Sequence, residues 1–210
     1  MNRILSISIL TCILLSGCTS SGPAPRTARV PKEGGFLRVV NLTNNEIQIS
    51  FQGRSGPVVG AKSASVMEKV KPGKMKVSVK EPFQAEMEVD VKSGELQSVV
   101  VLSASPKDWL LSSNEPLPTK SQQVALVFNC LPQPAQVGDD TISPSQSVSL
   151  MPKGTLSARM GPSDFVVDPP APENCPASIF LYMEAGMPKS INVPNRISMQ
   201  VEATKSSPTN

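Results

Sequence analysis

Three features of this sequence predict an all-β chain, folded as two small antiparallel Ig-like β-sandwiches in tandem. Apolar residues alternate with polar ones over short segments, as at Ile47, Ile49 and Phe51 or at Met75, Val77 and Val79, which is the period of a half-buried strand. Proline is abundant, at 21 of 210 residues, while Val, Ser and Thr dominate the intervening stretches. Prolines break helices and β-branched residues suit pleated sheets. No segment carries a helical period.

The first sandwich is assigned to residues 36–103. Phe36-Leu37-Arg38-Val39-Val40-Asn41 and Glu46-Ile47-Gln48-Ile49-Ser50-Phe51, separated by Thr43-Asn44-Asn45, read as a hairpin. Ser65 to Val70 is a third strand, and Lys71-Pro72-Gly73-Lys74 supplies turn chemistry before Met75, Val77 and Val79. Lys74, Lys76 and Lys80 fall on the opposite face, either as a solvated sheet surface or as a basic stripe for an acidic polymer. Met87 to Val91, a turn at Lys92-Ser93-Gly94-Glu95, and Ser98 to Ser103 complete the unit.

Residues 104–123 read as a linker by composition, around Trp109-Leu110-Leu111. The sole tryptophan suits docking against one unit or, alternatively, stacking on a sugar. The second sandwich spans 124–202. Its first strand, Val124-Ala125-Leu126-Val127-Phe128-Asn129, again ends in Asn, and Met151-Pro152-Lys153-Gly154-Thr155 repeats the Pro-Gly turn between two strands. Two copies of one design are implied. Ala177 to Met183, a turn at Glu184-Ala185-Gly186 and a strand around Ile191 or Ile197 end the copy, and 203–210 form a disordered tail.

The amino-terminal region is of a different kind. Arg3 precedes an apolar run from Ile4 to Leu15, too short for the roughly 20 residues a transmembrane helix needs, so residues 1–17 read as a signal peptide. Leu15-Ser16-Gly17-Cys18 resembles the lipobox of bacterial lipoproteins. That resemblance implies cleavage before Cys18, acylation of its sulfur and a lipid membrane as partner, and Thr19 after it points to the outer membrane. Residues 18–35, rich in Ser, Gly, Pro, Ala and basic side chains, then form a flexible tether.

With Cys12 cleaved away and Cys18 acylated, Cys130 and Cys175 remain. In an exported chain an even remainder reads as a disulfide closing the proline-rich stretch between them. Histidine is absent, which removes the commonest general base and metal ligand together. No catalytic residue, metal site or cofactor is therefore assigned. The acids that an enzyme would have to use are Asp139, Asp140, Asp164, Asp168 and Glu173, and they also read as turn and loop solubilisers. A formal charge of +3, or +2 once Arg3 is removed (3 − 1), gives no field that would recruit nucleic acid.

The strands ending in Asn41 and Asn129, with Lys71-Pro72-Gly73-Lys74-Met75-Lys76-Val77, resemble the periplasmic accessory protein of alginate O-acetylation. The first unit is also similar to a widespread β-sandwich repeat of secreted bacterial proteins. The first resemblance implies a non-catalytic helper that binds polysaccharide-modifying enzymes or the polysaccharide, and it carries over no catalytic residue. The sequence is thus expected to encode an interaction or scaffold protein of the cell envelope, with a carbohydrate-binding module as the alternative. Cys18→Ser is expected to remove the acyl mass and move the chain from the envelope to the soluble fraction. An unchanged fractionation of the variant would contradict the lipid anchor.

Overall fold

The computed structural model describes residues 34–117, 124–151, 154–168, 170 and 176–195. The signal segment, Cys18, Cys175 and the tail 203–210 lie outside the described residues. In chain order the first half contains β1 (Gly35–Asn41), β2 (Ile47–Phe51), β3 (Arg54–Val59), β4 (Ser63–Ala64), β5 (Glu68–Val70), β6 (Gly73–Glu81), β7 (Ala85–Val91), β8 (Leu96–Val101) and β9 (Leu110–Glu115). The second half contains β10 (Ala125–Asn129), β11 (Ala135–Val137), β12 (Asp140–Ile142), β13 (Ser147–Leu150), β14 (Leu156–Met160), β15 (Ser163–Val167), β16 (Ala177–Glu184) and β17 (Met187–Pro194).

These strands form four sheets. In the first half β3-β2-β6-β7 faces β4-β1-β8-β9, with β5 also paired to β1; in the second β12-β11-β14-β15 faces β13-β10-β16-β17. The first core lies between the first two sheets and includes Leu37, Val39, Ile47, Ile49, Val77 and Val99. The second includes Val127, Val137, Ala158, Val167, Ile179 and Leu181. A third apolar layer joins the halves, where Val40, Leu42 and Val100 meet Leu126, Phe128, Phe180, Tyr182 and Val193. The molecule is therefore a stack of four sheets with an apolar layer between each successive pair and a fourth, smaller cluster of Phe36, Met67 and Leu96, and the central strands of its two inner sheets are covered on both faces.

This layering explains the hydrophobic patterns. Central strands β1, β8, β10 and β16 read as nearly continuous apolar runs because alternate residues enter different cores. β6, in an outer sheet, alternates strictly, with Met75, Val77 and Val79 buried and Lys74 and Lys76 exposed. It also explains why the expected hairpin of β1 and β2 does not form: the two strands lie in different sheets and face each other across the first core. β1 pairs instead with β8, in parallel, and β10 likewise with β16, while every other pairing is antiparallel.

β3 is a strand the composition hides. It contains Gly56 and Pro57, which disfavour a central strand, but it lies at a sheet edge, where proline is tolerated. A Cβ at Gly56 would come within 3.2 Å of the Ile49 side chain, so this close approach uses the glycine. Residues 110–115, expected to be linker, pair with β8 as β9. Leu111 turns into the first core and Leu110 into the inter-half layer.

The two halves repeat the same order of strands. Asn41 opposes Val101 in the first, and Asn129 opposes Leu181 in the second. Both asparagines are fully buried and make the same corner. Asn41 Nδ2 donates to the carbonyls of Asn45 and Val59 (2.7 and 3.1 Å), and its Oδ1 accepts from Thr43 N–H (3.0 Å). Asn129 Nδ2 donates to Gln133 and Ile142 (3.0 and 2.8 Å), and its Oδ1 accepts from Leu131 N–H (2.9 Å). The asparagine thus supplies the partners that the backbone loses where it leaves one sheet for the other. Asn41→Ala and Asn129→Ala are each expected to destabilise the chain by about 1–3 kcal/mol, which thermal or urea denaturation would read. A change near zero would show that the backbone holds the corner alone.

Candidate functional site

The residues singled out by sequence fall in separate places. On the outer face of β6 and β7, Lys74 pairs with Glu88 at 3.0 Å and Lys76 with Glu86 at 2.9 Å. Each glutamate raises the pKa of its lysine through the hydrogen bond. These pairs are exposed and add little stability, and they partly neutralise the lysine face, with Lys74 and Lys76 each beside a glutamate. A depression of about 420 Å³ lies over it, lined by Gln52, Lys74, Lys76, Ser78, Glu86 and Glu88.

Trp109 docks into the first core, 4% exposed, and its indole N–H donates to the Ser103 carbonyl at 2.9 Å. Tyr182 and Phe180 enter the layer between the halves. Phe36, Phe51 and Phe128 are buried, and Phe83 and Phe165 are partly buried against the two cores. Six of the eight aromatic side chains are thereby buried, and Phe83 and Phe165 remain partly exposed.

The candidate acids do not converge. Asp139 and Asp140 are exposed at the β11–β12 turn, and Asp168 is exposed after β15. Asp164 accepts from Arg159 Nε at 2.6 Å, which holds its carboxyl below the usual range. Glu173 lies outside the described residues.

Sequence reading missed the most highly organised polar group, at the seam between the halves. Arg38 and Glu115 form an ion pair with both side chains fully buried. Arg38 Nε also donates to Ser98 Oγ (2.7 Å) and a terminal nitrogen to the Pro194 carbonyl (3.5 Å), while the guanidinium lies 5.8 Å from the Phe180 ring centroid. Glu115 Oε2 accepts from Ser178 Oγ at 2.5 Å, and Asn195 Nδ2 donates to the Pro116 carbonyl at 2.6 Å. Burial lowers the pKa of Arg38, opposed by the adjacent carboxylate. Losing one partner of such a pair costs about 3–5 kcal/mol. Arg38 is visible as a charge inside an apolar run. Glu115 carries no such signal, because an extra residue in β9 places it: Ser98 opposes Ser112, but Leu96 opposes Glu115. This bulge, with Asn114 at φ 57°, turns the carboxylate out of the first core and toward the second half.

Of the expected Cys130–Cys175 bridge, only one end is described: Cys130 is buried directly after β10, and Cys175 lies outside the described residues. As a thiol, Cys130 has its pKa pushed up by burial, then by the Glu115 charge. Peptide mapping after denaturation without reductant is expected to recover a linked Cys130–Cys175 peptide. Alkylation of Cys130 under the same conditions would contradict the bridge.

No family model matches the chain, and no curated protein matches it. Among solved structures, the chain is similar to the N-terminal domain of AlgF from P. aeruginosa, with 22% identity, 41% of this chain and 99% of that chain covered, and a TM-score of 0.35.

Proposed function

We propose that this chain is a non-catalytic lipoprotein of the bacterial envelope, held on the outer membrane by an acylated Cys18 and facing the periplasm. Its paired sandwiches serve as an interaction scaffold for other envelope proteins, in the role of an accessory factor in exopolysaccharide O-acetylation or export. The lipobox and the Asn-ended strands with the Pro-Gly turn support the location and the role.

The observation that carries the scaffold reading is how the described polar groups are used. Asn41 and Asn129 hold corners and Arg38, Glu115 and Ser178 hold the seam, the acids do not converge, and the outer faces of β3-β2-β6-β7 and β12-β11-β14-β15 are left as mainly polar surfaces that also expose Val58 and Val166. Such surfaces suit protein contacts made by shape and hydrogen bonding. A carbohydrate-binding module that grips sugars by stacking would need aromatic side chains at the surface, and here six of the eight are buried.

Light cross-linking in intact envelopes, followed by detergent extraction and mass spectrometry, is expected to recover polysaccharide acetyltransferase or export components with the acylated chain. Recovery of glycan alone would support the carbohydrate-binding alternative, and recovery of nothing above background would count against the scaffold.

A further inference from the structure

The apolar layer between the halves is built from equivalent strands. Aligning Asn41 with Asn129 and Val101 with Leu181 makes the pair Arg38 and Ser98 equivalent to the pair Leu126 and Ser178. Likewise Glu115, opposite Leu96, corresponds to Asn195, whose backbone N–H donates to the Pro176 carbonyl. The repeat is therefore broken at the seam, where one half supplies a cation and an anion and the other supplies Leu126, Ser178 and Asn195.

Apolar contact is non-directional, so the surfaces of Val40, Val100, Leu126, Phe128 and Phe180 do not by themselves define one registration. The polar group does. Three of its bonds cross between the halves: Arg38 to the Pro194 carbonyl, Ser178 Oγ to Glu115 Oε2, and Asn195 Nδ2 to the Pro116 carbonyl. Glu115 Oε1 is buried and has no hydrogen-bond partner among the described residues. A slip that removed Ser178 would leave the carboxylate with Arg38 alone against an apolar surface, which a buried charge does not tolerate. At one rim, Lys62 donates to the Leu42 carbonyl at 2.6 Å and reaches Glu184 at 3.5 Å, lying 4.8 Å from the Tyr182 ring centroid.

We infer that the Arg38–Glu115–Ser178 network is an orientation lock: it selects one registration of the two sandwiches, so that the chain presents its two outer sheets as a single rigid body. The lock also makes the pairing heterotypic. Two copies of the first half brought together through this face would juxtapose two buried Arg38–Glu115 pairs with no Ser178 or Asn195 to receive them. The inference does not depend on the identity of any partner, so a failed cross-linking search leaves it standing.

Residual dipolar couplings of the full mature chain, carrying Cys18→Ser, test it. In the parent a single alignment tensor is expected to fit both halves. In R38M/E115L, which replaces the charges by apolar groups, the halves are expected to stay folded but to require different tensors. In S178A, which removes only a crossing bond, the alignment magnitudes of the two halves are expected to diverge. If R38M/E115L fails to fold, S178A decides. One shared tensor in S178A, or in a folded R38M/E115L, would overturn the lock.

Discussion

The central strands of two sheets in this molecule, β1 and β8 in one and β10 and β16 in the other, are buried on both faces, and most of the architecture depends on that. β4-β1-β8-β9 and β13-β10-β16-β17 each bury one side against an outer sheet and the other against each other. A sheet that is apolar on both sides cannot end a sandwich, because its second face would remain in water. Each half therefore supplies the other's missing layer, and the segment between them joins parts of one packed body.

Burial on both faces also raises the requirement on every polar group enclosed there. Asn41 and Asn129 meet it identically, with side-chain amides that replace the ladder bonds lost at a sheet-to-sheet crossing. Arg38 and Glu115 meet it differently: the charges are neutralised within the first half, and their remaining hydrogen-bonding capacity is directed partly across the seam. The outer sheets carry three exposed ion pairs, Lys74–Glu88, Lys76–Glu86 and Arg159–Asp164, beside further exposed charges such as Arg54, Lys80 and Asp90. Directional bonds thus organise the corners and the seam, while charge pairs lie on the outer faces.

The sequence is accordingly more informative about organisation than about chemistry. Asp139, Asp140, Asp164 and Asp168 are far more ordinary in place than a paired-carboxylate mechanism would require, since each lies in a turn, a loop or an exposed ion pair. Trp109 was legible as a docking residue because a large aromatic in a polar segment finds burial more readily than solvent, and it lies in the first core with its N–H satisfied.

By itself the sequence determined the all-β class, the alternation of the outer strands and the strands ending in Asn41 and Asn129, and it suggested the repetition of one design. These follow from local periodicity and from residues whose chemistry acts over a few neighbours. The sandwich of sheets that separates β1 from β2, the parallel pairing of β1 with β8 and of β10 with β16, and the ladder ends at which Cys130 and Ala177 lie were decided only by tertiary structure. So was the side of the sheet on which Glu115 emerges. Each of these depends on which distant strand completes a core, and an apolar run reads the same in sequence whichever neighbour covers it. One extra residue in β9 reverses the face of everything after it, and only the partner strand reveals that the residue is extra.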